Sequence, residues 1–539
     1  MSIIRFTCYF NISWKIIALI MVSVSITVGQ WSSDPSINTV VTNEWGLQVD
    51  PLTISDNNGG AIIIWWDWQA DFNIYAQRVN KFGFRLWPTE GLPVCTMPGS
   101  QSQPVAISDG AGGAVIVWQD TRSDIGDIYA QRIDSTGSLL WNGDQGITIY
   151  EGPGVQRYPN VVSDQSSFYI TWADNRYGLN QPFCQKVSFY GELIWPDEGV
   201  QVVNYDNQLE YFFREMTPNG LGGLYFIWKD TRYSGEEYHH ELWGNRIGSD
   251  GTRLWGNGGI PIAQEGRSNG GQASMVRISD NSIICVYLKQ IEEDSIQNLY
   301  AQRISPEGNL IWGNEVPICT TPGDKWIYYF FSDDFDNLYM EWHDHRNDNW
   351  DIYAQKLNSE GIVQWAGNGV SVCSHESGQM MFEYILDQNN HLITVWRDGR
   401  NIATSYYDIY AQVINSDGSY YWEEDGLPIS IADGAQEYPT LTKSQNSIII
   451  SWVDKRYSPE RDIFAQQISI FGELGDIPVP LGDLNMDTIT DILDIIMVVD
   501  IVLGNSGGTE YQLWAGDINE DEIIDVLDIV IMVNIILEG

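Results

Sequence analysis

Apolar and polar positions alternate in short runs along most of this chain, at the period of strands and not of helices. The clearest stretch is Pro104-Val-Ala-Ile-Ser-Asp-Gly110, then Gly112-Gly-Ala-Val-Ile-Val-Trp118-Gln-Asp120-Thr-Arg122. It continues through Asp127-Ile-Tyr-Ala-Gln-Arg132, Gly137-Ser-Leu-Leu-Trp141 and Ile147-Thr-Ile149. The same succession returns about every 55 residues. One aromatic anchor recurs as Trp65, Trp118, Trp172, Trp228, Tyr287, Trp342, Trp396 and Trp452. A second recurs as Tyr75, Tyr129, Phe183, Trp243, Tyr300, Tyr353, Tyr410 and Phe464, which makes eight copies. Each copy holds four β-prone runs parted by Asp-Gly, Gly-Gly or Ser-Asp-Gly turns. Four short strands per unit at this period predict an all-β fold, an eight-bladed β-propeller.

The ends of the array predict how the ring closes. Seven copies finish with an outer-strand pattern such as Leu86-Trp87 followed by Gly91-Leu-Pro-Val94, and the eighth lacks it. The orphan piece lies before the first copy, as Gln30-Trp31 and Ile37-Asn-Thr-Val-Val41. The N-terminal strand is therefore expected to complete the last blade and remove the open edges.

Beyond the array the period changes. Two apolar stretches, Ile492–Leu503 and Val526–Leu537, are predicted helices. Each follows a loop with oxygen side chains at positions 1, 3, 5, 9 and 12: Asp483, Asn485, Asp487, Asp491 and Asp494, then Asp517, Asn519, Asp521, Asp525 and Asp528. The copies lie 34 residues apart. A hard cation takes six to eight oxygen ligands, so two Ca²⁺ ions are expected here.

Charge narrows the partners. The chain carries a formal charge of −44, and from Asp462 onward it has no Lys or Arg. Such a surface repels nucleic acid and anionic membrane. Arg5 and Lys15 are the only charges before Asp34, and Ile16–Val28 is uncharged, the pattern of a secretory signal ending at residue 29. A secreted or cell-surface location follows, with no membrane span once the signal is removed. Cys95, Cys319 and Cys373 occupy one place in three copies and are held apart, so they and the remaining cysteines are expected to be small core residues.

Trp-x-Asp-x-Arg appears with both charges in six copies, among them Asp120/Arg122 and Asp454/Arg456. Such repetition points to structure, because an active site is a single place. The Gln of Tyr-Ala-Gln is expected to satisfy backbone groups in the core. Function is sought where copies differ. The second-to-third-strand loops of copies 4 and 7 carry Tyr233, Tyr238, His239 and His240, and Tyr406 and Tyr407, a candidate ligand face for carbohydrate or protein. His343, His345 and His375 form a weaker transition-metal candidate. No carboxylate pair or nucleophile triad stands out, so no catalytic residue is assigned.

Residues 482–539 resemble a type I dockerin, on Gly482-Asp483-Leu-Asn485-Met-Asp487…Asp491…Asp494, Leu503-Gly504 and Gly516-Asp517-Ile-Asn519-Glu-Asp521…Asp525…Asp528. The resemblance implies paired F-hand calcium loops and a cohesin-like partner met through Ile492, Leu493, Val526 and Leu527. Thr488 and Glu522 depart from the family's turn glycine. The repeat array looks like the tandem-repeat propellers of secreted bacterial proteins. The expected organisation is a signal at 1–29, a propeller at 30–475, a linker at 476–481 and a dockerin-like domain at 482–539. The expected function is a non-catalytic binding protein docked by its tail to a cohesin-like or surface partner. The alternative is a dockerin-bearing glycoside hydrolase or another enzyme of polysaccharide catabolism.

Overall fold

The computed structural model describes residues 31–68, 71–123, 125–164, 166–204, 214–230, 241–263, 273–290, 297–457, 461–475, 481–485, 489–508, 510–519 and 523–538. The repeat array forms eight four-stranded antiparallel sheets. Blade 1 comprises Leu47–Ser55, Ala61–Trp68, Phe72–Val79 and Leu92–Cys95, in that spatial order. Blades 2 to 7 repeat this order, beginning at Gln101, Gln156, Arg214, Ala273, Lys325 and Gln379. The first strands of neighbouring blades touch from blade 1 round to blade 6, and from blade 7 through blade 8 back to blade 1. Blades 6 and 7 meet in one apolar cluster that holds Tyr339, Trp365 and Tyr384. These first strands surround the axis.

Blade 8 is completed as the sequence predicts. Its strands Gln436–Ser444, Ser447–Asp454 and Asp462–Ser469 are followed in space by Thr39–Thr42, which pairs antiparallel with the last of them. Trp31 takes the place that Trp141, Trp195, Trp255, Trp365 and Trp422 take elsewhere. Each of these six indoles donates to a carbonyl in the turn of the following blade, Trp31 to Lys81 O at 3.0 Å. Gly83, at φ +90°, lets the Trp31 ring lie flat on that turn, because a Cβ there would sit 3.0 Å from Trp31 Cδ2.

The two aromatic anchors of each copy are direct cross-strand partners in all eight blades. The first anchor is buried in every blade. Burying a side chain of this size contributes on the order of 2–3 kcal/mol. All five cysteines of the described residues are buried and free, as small core residues.

The tail holds α1 (Ile492–Val502), α2 (Glu510–Gly516) and α3 (Val526–Glu538). The short middle helix is a correction, since Glu510–Gly516 carries too weak a periodic signal to be read from sequence. The sequence pattern left the position of the tail open. The tail packs on the propeller: Phe82 and Phe84 of the blade 1 turn share an apolar cluster with Leu484, Val498, Ala515 and Met532. The Phe84 and Trp514 rings lie 5.1 Å apart. No other blade has phenylalanine at both of these turn positions. The linker residues 476–480 lie outside the described residues.

Removal of residues 30–42 takes away the closing strand and the Trp31 contact, a loss of several kcal/mol. The expected outcome is a melting temperature lower by roughly 5–10 °C in calorimetry; an unchanged curve would exclude closure as a source of stability.

Candidate functional site

The repeated charged motif is scaffold. In six blades the anchor indole donates to the Asp two residues on, as Trp118 Nε1 to Asp120 Oδ2 at 2.8 Å and Trp396 Nε1 to Asp398 Oδ2 at 2.7 Å. The other Asp oxygen accepts a backbone N–H, from Arg122 at 2.8 Å in blade 2. The Arg then pairs with the same carboxylate and stacks on the second anchor, Arg346 lying 3.7 Å over Tyr353 and Arg400 3.8 Å over Tyr410. In five of these blades the Asp is thus a buried charge paired with its Arg, the arrangement burial demands; Arg232 of blade 4 lies outside the described residues. Blade 5 has Lys289 instead, paired with Glu315 at 2.7 Å. The Gln of Tyr-Ala-Gln bonds backbone as expected: Gln77 Oε1 accepts from Trp87 N at 3.0 Å while Nε2 donates to Pro88 O at 2.7 Å.

In the tail, the two loops share one hydrogen-bond scheme. Asp494 Oδ1 accepts from Leu484 N and Asn485 N at 2.8 and 3.0 Å, and its Oδ2 from Asp491 N at 2.8 Å. Asp528 does the same toward Ile518 N, Asn519 N and Asp525 N. Asp491 and Asp525 accept from Leu493 N and Leu527 N at 2.7 Å, which caps α1 and α3. Asp483, Asp494 and Asp528 are fully buried. Asp487 and Asp521 lie outside the described residues, and among the described residues no three acidic, His or Cys side chains gather closely enough to hold a metal. Asp517 and Asn519 are half-buried. Ile492, Leu493, Val526 and Leu527 are exposed at 67, 53, 61 and 58% and form a doubled apolar surface.

The structure adds a site that sequence reasoning missed. A cavity of about 510 Å³ opens on the axis between the first strands of blades 6, 7, 8 and 1. Asp50, Phe331, Phe382, Glu383, Tyr384 and Tyr438 line it. A repeated backbone device places several of them. The first strands of blades 1, 2, 3, 7 and 8 break register one step after a buried Gln, between Val49 and Leu52 or between Met380 and Glu383. That Gln donates to the incoming inter-blade connection, as Gln101 to Met97 O and Gln436 to Ala432 O. The residue two places after it has left-handed φ: Asp50 +46°, Gln103 +52°, Tyr158 +56°, Met381 +51° and Tyr438 +55°. For residues other than Gly this costs on the order of 1 kcal/mol or more each. The available signal was Gln-x-x-Pro at 48–51, 101–104, 156–159 and 436–439.

Two carboxyls of the cavity are shifted the same way. Enclosure inside the ring pushes Glu383 up to about 7, although its side chain opens to the channel, and the Leu441 backbone N–H opposes the shift. Burial also raises Asp50, against the pull of Arg461. Behind Tyr384 lies a third. Glu341 is fully buried and accepts from the Thr394 hydroxyl through Oε1, while its Oε2 has no hydrogen-bond partner. Its own N–H donates to Tyr384 Oη at 3.4 Å. Burial holds its carboxyl well above the usual range.

The loop candidates stand apart from this cavity. Tyr406 is exposed and Tyr407 lies under Arg397 at 4.2 Å, on the rim of blade 7. Tyr233, Tyr238, His239 and His240 lie outside the described residues. The histidine grouping is corrected: His343 is buried, its ring 4.7 Å from Phe382, and burial lowers it to about 3. His345, two residues on, lies on the same side, and both rings meet Trp350 at 6.0 and 5.1 Å, yet among the described residues no third ligand gathers with them.

No protein-family model matches the chain, and no curated protein matches it. Solved structures of related shape include a puromycin-hydrolysing peptidase of Mycobacterium tuberculosis, at 10% identity and TM-score 0.42, covering 71% of this chain and 55% of that one. An α-L-arabinanase of Penicillium chrysogenum matches at 13% and 0.34, over 60% of this chain and 99% of its own. An endo-arabinase of Bacteroides thetaiotaomicron matches at 12% and 0.29, over 49% and 95%. The match thus spans about half the length of the first of these. The expectation of a non-catalytic binding protein is corrected here: the three neighbours are named as a peptidase and two arabinanases, and this chain itself sets two carboxyls in one aromatic-lined cavity. At these TM-scores they say nothing of mechanism, and the chemistry rests on this chain's own residues.

Glu341 yields a stability prediction. Its pKa is raised on folding, so the native state loses stability as pH climbs from the unfolded value near 4.3 toward the folded one. Glu341→Gln is expected to be neutral below about pH 4 and to raise the melting temperature progressively above it. Parallel melting curves for both proteins across pH would contradict a carboxyl raised by burial.

Proposed function

We propose that the propeller is a hydrolase of glycosidic bonds, an enzyme of polysaccharide catabolism, with its reaction centre in the axial cavity. The observation that carries this reading is the pair Asp50 and Glu383, two carboxyls opening into one aromatic-lined cavity, one of them poised near neutrality. Glycoside hydrolysis needs an acid that holds a proton at working pH and a second carboxylate. Glu383 passes its proton to the leaving glycosidic oxygen as the bond to the anomeric carbon breaks. Asp50, the second carboxylate, takes a proton from the water that attacks that carbon. Tyr384 and Phe382 exclude bulk water from the wall beside Glu383.

The tail is proposed as a dockerin-like module. Its oxygen-only loops suit Ca²⁺, held by Asp483, Asn485, Asp487, Asp491 and Asp494 in one and by Asp517, Asn519, Asp521, Asp525 and Asp528 in the other. Buried carboxylates in a tail with no Lys or Arg need a cation for neutrality. Calcium would supply that charge and tie each loop to its helix. Ile492, Leu493, Val526 and Leu527 would then meet a cohesin-like or cell-surface partner, in a secreted protein.

Glu383→Gln is expected to lower sugar release by at least about 100-fold, the usual scale of a lost general acid. Because the acid must be protonated, activity of the unsubstituted protein should fall as pH rises through about 7. A reducing-sugar assay on plant polysaccharides checks both, and full activity in Glu383→Gln would refute the assignment. For the tail, removing calcium with EDTA should lower its helical circular dichroism signal and restore it on readdition; an indifferent spectrum would dismiss the metal.

A further inference from the structure

We propose, on the footing of the hydrolase reading, that the bulge residues Asp50, Met381 and Tyr438 determine specificity and select an uncharged glycan. One left-handed bulge recurs in five axial strands, yet it carries five side chains drawn from Asp, Gln, Tyr and Met. A kink kept only for shape would use glycine or asparagine, which adopt this backbone at little cost. None of the five is either. What the bulge preserves is the delivery of a side chain toward the axis, while its identity changes from blade to blade.

Three of the five line the cavity, together with Leu52, Glu383 and Thr440, which resume the strand just after each bulge. The device that presents the reading residue therefore also sets Glu383 in place. Tyr438 and Phe331 keep open ring faces, each 38% exposed, that suit the C–H face of a sugar. Met381 adds an adaptable apolar contact. Among the described residues lining the cavity there is no Lys, Arg or His. A uronate or sulfated unit would meet Asp50 and Glu383, while Arg461, whose charge already pulls on Asp50, stands outside the lining. The volume suits a short stretch of neutral sugar chain.

Calorimetric titration of the full chain carrying Glu383→Gln, which leaves the glycan intact, tests this. The probes are neutral pentose and hexose oligosaccharides, and oligogalacturonides of matched length. Neutral chains should bind, and the oligogalacturonides at least tenfold more weakly. Adding Tyr438→Gly should weaken neutral binding at least tenfold while the melting temperature holds or rises, since glycine relieves the left-handed backbone. Tyr158→Gly, at the same backbone position but away from this cavity, should leave binding unchanged. Equal affinity for uronides, no binding of any neutral glycan, or an indifferent Tyr438→Gly would each overturn the proposal. Selective binding with no sugar release by the unsubstituted chain would support it and defeat hydrolysis alone.

Discussion

Contact between neighbouring blades is the interaction on which everything else in this molecule rests. A twisted four-stranded sheet has two apolar faces and cannot cover both by itself. Here each blade lends its faces to its neighbours, and the outer indoles stitch the joints by donating to the next blade's turn. Only a closed ring satisfies the first and last blades, and Trp31 with Thr39–Thr42 supplies that closure. In the blades that carry them, the anchor Trp, its Asp and its Arg are the local means of keeping the faces at the proper spacing. Gly426 belongs to the same scheme: a Cβ there would lie 2.6 Å from Trp396 Cη2.

The axis is a region that this repetition leaves free to vary. Strands converge there, so side chains from several blades meet within one cavity, and chemistry can be assembled from residues far apart in the chain. Asp50 and Glu383 are brought together in this way. Glu341 and Thr394 mark the same region from behind. Other blades place Ile, Val, Thr or Ser at the position of Glu341, and apolar residues at that of Thr394. A carboxyl at this position sets blade 6 apart from the other seven.

The tail sits on the opposite rim from the inter-blade connections. Its anchor is the blade 1 turn, whose Lys81 carbonyl also receives Trp31. The seam and the tail therefore lean on one four-residue turn. Two phenylalanines, where other blades mostly have Ser, Thr, Glu or Asp, single this turn out in the sequence, yet the paired apolar helices gave no hint that they had a third surface to cover.

Period, turn chemistry and the recurrence of two aromatics were enough to establish eight blades and the closing strand, because these follow from local pattern and from the need to bury apolar faces. The repeated charges were legible as scaffold for the same reason. The oxygen-rich tail loops could be read as a chemical pattern, since ligand spacing within a loop is local. The cavity could not. Its carboxyls sit in separate repeats, on bulges whose side-chain direction depends on backbone torsions, and their protonation depends on enclosure by the whole ring. Those are properties of the assembled ring, and no single repeat contains them.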